Sequence, residues 1–98
     1  SGVFGLYQAL KWEGMEVQVH DSHADRYQCW REYGLVLVEL DALKSADAVI
    51  LAVPHHEYLQ QGWGLMTRLL SPGGGVVFDV RSGLDRATRP QHVILERL

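Results

Sequence analysis

The sequence is short of most features that mark a specialised class of protein. It has one cysteine, Cys29, so no disulfide can form within the chain, and a lone thiol fits a reducing compartment such as the cytoplasm. No apolar run approaches the roughly 18 residues that a membrane-spanning helix needs, and no charged-then-apolar leader opens the sequence, so neither anchor nor signal peptide is expected. Acidic residues outnumber basic ones, 12 to 9, and the net charge of -3 gives no reason to expect nucleic acid or an anionic membrane as partner. Internal repeats and low-complexity tracts are absent. No Gly-x-Gly-x-x-Gly occurs, which argues against a complete dinucleotide site. An initial Met is also missing: the chain opens at Ser1-Gly2 directly into a helical pattern. We expect it to be a piece of something longer.

What is present is ordinary for one small globular domain over residues 1–98, 47% hydrophobic and 21% charged. The chain is organised around residues 45–58. Val49 to Val53 form an unbroken apolar run rich in β-branched residues. Such a strand belongs in the middle of a sheet covered on both faces. Pro54 ends it, and His55, His56, Glu57 and Tyr58 follow at its carboxyl end, where open α/β sheets bind ligands.

The remaining pattern alternates helix and strand. Val3 to Trp12 has helical spacing, with Ser1 as candidate N-cap and Gly14 as stop. Gly2 and Gly5 suggest close packing on a sheet, or merely a weak helix start. Met15 to His20 reads as a short strand, Ala24 to Tyr33 as a helix stopped by Gly34, and Leu35 to Leu40 as a peripheral strand. Asp41 to Ser45 reads as a turn of helix. Tyr58 to Leu70 is helical, weakened by Gly62 and Gly64. Gly75 to Val80 reads as a second buried strand and His92 to Leu95 as a last one. This order implies a Rossmann-like, doubly wound, mainly parallel α/β sheet. Because a doubly wound unit normally begins with a central strand and this one begins with a helix, that first strand is expected upstream. Its loss would leave an open sheet edge inviting self-association.

Several polar groups could carry chemistry. His20 and His23, with Asp21 and Asp25 near them, have no evident third ligand, and solvated loop residues are the simpler reading. His55-His56-Glu57 resembles part of an acid/base set, but Glu57 in a first helical turn is favoured by the macrodipole alone. Cys29 reads as a small hydrophobe. The glycines at 73–75 precede a strand and so form a turn, not a phosphate loop. Asp79-Val80-Arg81-Ser82 is the most informative group: it puts a guanidinium at the ligand edge of the sheet, suited to bidentate contact with a phosphate. A salt bridge from Arg81 to Asp79 or Asp85 is the equal alternative.

Several stretches together resemble the C-terminal, UDP-binding domain of the UDP-glucose/GDP-mannose dehydrogenase family. They are Gly14 to Asp21, Glu32-Tyr33-Gly34, Ala46 to Val53 with His55 to Tyr58, and Phe78 to Arg86, with Glu96-Arg97-Leu98 like the close of that domain. The subfamily it looks most like oxidises UDP-N-acetylhexosamines for surface polysaccharides. The resemblance implies a cytoplasmic enzyme, a homodimer or larger, that takes a sugar's C6 alcohol to a carboxylate with two NAD in succession. NAD, the catalytic cysteine and its lysine would lie in earlier domains, so neither catalytic residues nor cofactor or metal sites are expected in this piece. Ser1 looks like the serine that closes the family's basic loop, and Asp21-Ser22 stands where the family has Asp-Pro. Carried over as substrate-binding is Arg81, near the UDP-sugar diphosphate, with Asp79 beside it. The competing expectation is a free-standing, non-enzymatic Rossmann-like module for protein association.

Overall fold

In the computed structural model, residues 2–97 are described. They fall in two compact units, Ser1–Leu43 and Lys44–Leu98.

The first unit is built from two helices, α1 (Gly2–Trp12) and α2 (Arg26–Tyr33). Gly14 stops α1 at φ 87°, its N–H donating to the Lys11 carbonyl while the Met15 N–H reaches Leu10. Asp25 caps α2 by accepting from the Gln28 N–H at 2.8 Å, and Gly34 closes it in the left-handed region. Phe4 stacks on Tyr33 with ring centroids 4.1 Å apart. The N-cap reading of Ser1 lies outside the described residues. A Cβ on Gly2 or Gly5 would meet nothing within 4 Å.

Two expected strands do not form. Residues 15–20 and 35–39 lie outside any helix or ladder. The period-two pattern is present, with Leu35 and Leu37 buried and Val36 between them exposed. A strand also needs a paired neighbour, however. Between the two segments Val38 N–H donates to the Val19 carbonyl at 2.8 Å. A single 3₁₀ turn, Leu40–Ala42, stands near the expected turn of helix.

The second unit holds the sheet: β1 (Ala48–Leu51), α3 (His56–Leu69), β2 (Gly75–Asp79) and β3 (Val93–Arg97). All pairings are parallel and the order is β1-β2-β3. The expectation that the 49–53 strand lies mid-sheet is therefore corrected: among the described residues β1 pairs on one side only, and β2 is the middle strand. Nor is β2 buried on both faces. Val77 and Asp79 are fully buried while Phe78 between them is 36% exposed. Leu51, Val77 and Val93 with Leu65, Met66 and Leu69 of α3 are among the buried apolar residues, each worth about 1.5–3 kcal/mol.

α3 is broken at Gly62, whose φ 55°, ψ -135° is non-helical. That conformation is close to glycine's private region of backbone space. Gly64, two residues on, carries no such constraint and has open space at its Cβ position. The two glycines should therefore respond oppositely to alanine. In thermal unfolding, Gly62→Ala is expected to destabilise by about 1–3 kcal/mol, and Gly64→Ala to stabilise by up to about 1 kcal/mol. Equal shifts would contradict the break.

Candidate functional site

Parallel strands bring their carboxyl ends to one rim, and the register aligns Leu51, Asp79 and Arg97 across it. Two loops leave that rim. One runs from Leu51 through Pro54 and His55 into α3; the other, residues 80–85, follows β2. They lie against each other: a Cβ on Gly83 would come within 2.7 Å of Leu59 Cδ2 and 3.3 Å of Pro54 Cβ.

The second loop is shaped by Asp79, which has no exposure. Its Oδ1 accepts from the Gly83 N–H at 2.9 Å and its Oδ2 from the Leu84 N–H at 2.8 Å. Its backbone carbonyl accepts from Ser82 N–H at 3.3 Å. Arg97 Nη2 lies 3.6 Å from Asp79 Oδ2 and also donates to the Leu84 carbonyl. Trp63 Nε1–H donates to the Asp85 carbonyl at 2.7 Å, fixing the loop's far end to α3. Ser82 is the one non-glycine with positive φ among the described residues, at 55°. A serine holds that geometry only where its surroundings over-determine it.

Arg81 is exposed on this loop, and among the described residues nothing pairs with its guanidinium. The two acids weighed as its partners are engaged elsewhere. Asp79 is turned inward to the loop amides and Arg97, and the Asp85 carboxylate accepts from Ala87 N–H at 3.0 Å. Arg81 and Asp79 are thus adjacent in sequence but opposite in environment.

The other candidates are dispersed. His55 occupies the N-cap position of α3 without a capping side-chain hydrogen bond, its ring 5.4 Å from that of Tyr58. His56 is exposed beside it and Glu57 sits in the first turn. Near His20, the His23 N–H donates to Asp21 Oδ1 at 2.8 Å. Among the described residues no three His, Cys, Asp or Glu side chains gather in a metal-holding group. Cys29 is half-buried on α2. The turn from β1 into α3 carries Pro54 and no glycine. No helix among the described residues is long and apolar enough to cross a membrane.

A model of the UDP-glucose/GDP-mannose dehydrogenase family, UDP binding domain, matches residues 1–86. The chain belongs to that family. The matched span includes the Asp79–Arg81 turn. Protein CapL of Staphylococcus aureus is 33% identical over 79 residues, which are 81% of this chain and 18% of that protein. The chain therefore spans about a fifth of that curated relative. No solved structure matches.

Two residues of the rim were missed in the sequence, Arg97 and Trp63. For Arg97 a signal existed. Val93, Leu95 and Arg97 alternate onto one strand face, and an arginine there needs a carboxylate opposite. Trp63 gave none, since its partner, the Asp85 carbonyl, is 22 residues away in sequence.

Ser82 gives a direct check on the loop. Replacing it by glycine removes the left-handed penalty of about 1–2 kcal/mol, against an entropy cost in the unfolded chain of up to about 1 kcal/mol. Ser82→Gly should therefore leave stability unchanged or raise it slightly in denaturant unfolding, whereas Ser82→Val should lower it. A clear loss with glycine would contradict the loop geometry.

Proposed function

We propose that this domain holds the uridine diphosphate of a UDP-sugar for an NAD-dependent nucleotide-sugar 6-dehydrogenase, with Arg81 gripping the diphosphate. The observation that carries the reading is the unpaired, exposed guanidinium of Arg81 at the carboxyl-end rim of a parallel sheet. A planar guanidinium can make two parallel bonds to phosphate oxygens, which fixes orientation as well as affinity. The contribution to catalysis is positioning: a held diphosphate presents the hexose to groups elsewhere.

The parent enzyme in this reading oxidises the sugar's C6 alcohol to a carboxylate for surface polysaccharide synthesis, in the cytoplasm, as a homodimer or larger assembly. NAD and the catalytic groups belong to domains outside this chain, which alone would be inactive. The unpaired side of β1 is the seat for a further parallel strand of that longer protein. The same edge favours a second reading, a free-standing module that associates through it.

A titration of the chain with UDP and with uridine, followed by NMR, separates these. Under the dehydrogenase reading UDP perturbs the amides around Pro54–His56 and Val80–Arg81. Arg81→Ala weakens UDP by about tenfold or more, the size of a lost charge-assisted pair, and leaves uridine unaffected. Equal UDP affinity in variant and wild type would remove Arg81 from the site. Concentration-dependent dimerisation with no response to UDP would favour the module.

A further inference from the structure

The loop that displays Arg81 has spent its backbone donors internally. An αL residue followed by successive free N–H groups can cradle an anion, and Ser82 at φ 55° begins such a run. Here the anion is the chain's own. Ser82 N–H donates to the Asp79 carbonyl, and the Gly83 and Leu84 N–H groups donate one to each Asp79 carboxylate oxygen. Arg97, the cross-strand partner of Asp79 in the register, closes the arrangement from the other side by donating to the Leu84 carbonyl as well.

We propose that Asp79 and Arg97 form an internal clamp that sets the 80–85 turn, so that Asp79 is a positioning residue acting through Arg81 and not a contact to the nucleotide. Three features lead there. Asp79 has no exposure, so no ligand reaches it without opening the loop. Both of its carboxylate oxygens are occupied by the amides that define the turn. The register makes the pairing obligatory: a one-residue slip of β3 would face Asp79 with Glu96 in place of Arg97. The consequence for recognition is that a bound phosphate receives a side chain, the Arg81 guanidinium, and none of the loop amides at 82–84.

This rests on the nucleotide reading for its functional half, but the clamp itself does not. Amide hydrogen exchange on the unliganded chain tests it first. With Asp79→Asn, the Gly83 and Leu84 amides should exchange about tenfold faster or more while Val77 and Leu95 stay protected. If burying an amide at 79 unfolds the chain, Arg97→Gln reads the same loop from its half-exposed side and should speed Leu84 selectively. Unchanged exchange at 83 and 84 in a folded variant would overturn the clamp.

UDP binding then tests the positioning role. Asp79→Asn should weaken UDP, and adding it to Arg81→Ala should cause no further loss, because one acts through the other. Additive losses would mean that Asp79 contacts the ligand independently, overturning the proposal. Absence of any UDP response in the wild-type chain would defeat the nucleotide reading instead, with amide exchange still deciding the clamp.

Discussion

A carboxylate removed from solvent must find donors inside the protein or cost several kcal/mol, and at Asp79 that requirement organises the rim of the sheet. The strand carries it onto the buried face, in line with Val77. The carboxylate finds its donors in the amides of the loop that follows and in the arginine across the ladder. The loop therefore folds back, places Ser82 in a left-handed conformation and throws Arg81 outward. One buried charge thus decides where the neighbouring exposed charge points.

The rest of the second unit makes that arrangement rigid. Parallel pairing brings the β1 and β2 loops side by side, and Gly83 lets the second loop lie on Pro54 and Leu59 where any side chain would collide. Trp63, next to the break in α3 at Gly62, ties down the loop's far end. A binding group presented from a fixed turn loses little freedom on engaging its ligand, which is the advantage of preorganisation. The chain belongs to a family of UDP-binding domains.

Much of the fold was legible because it was written in local terms. Apolar runs marked β1 and β2, Gly14 and Gly34 marked helix ends, and the order of elements implied a parallel α/β sheet. Resemblance of Ala46–Val53 and Phe78–Arg86 to a known family pointed to the family that the comparisons show. What local pattern could not supply was pairing. Among the described residues, 15–20 and 35–40 have strand periodicity yet lack a ladder, and β1 has the composition of a central strand but pairs on one side. At the site, Arg81 and Asp79 looked like one polar cluster. The strand's period of two separates them: Asp79 shares the face of Val77, and Arg81 lies beyond the strand altogether. Arg97 could have been paired with Asp79 only from the register, which sequence spacing does not contain.

The most direct test of this account is a crystal structure of the chain with UDP bound. It should show diphosphate oxygens within hydrogen-bonding distance of the Arg81 guanidinium at the carboxyl ends of the strands, with Asp79 still holding Gly83, Leu84 and Arg97. A nucleotide seated at the amino ends of the strands, or an Asp79 swung out to meet it, would contradict it.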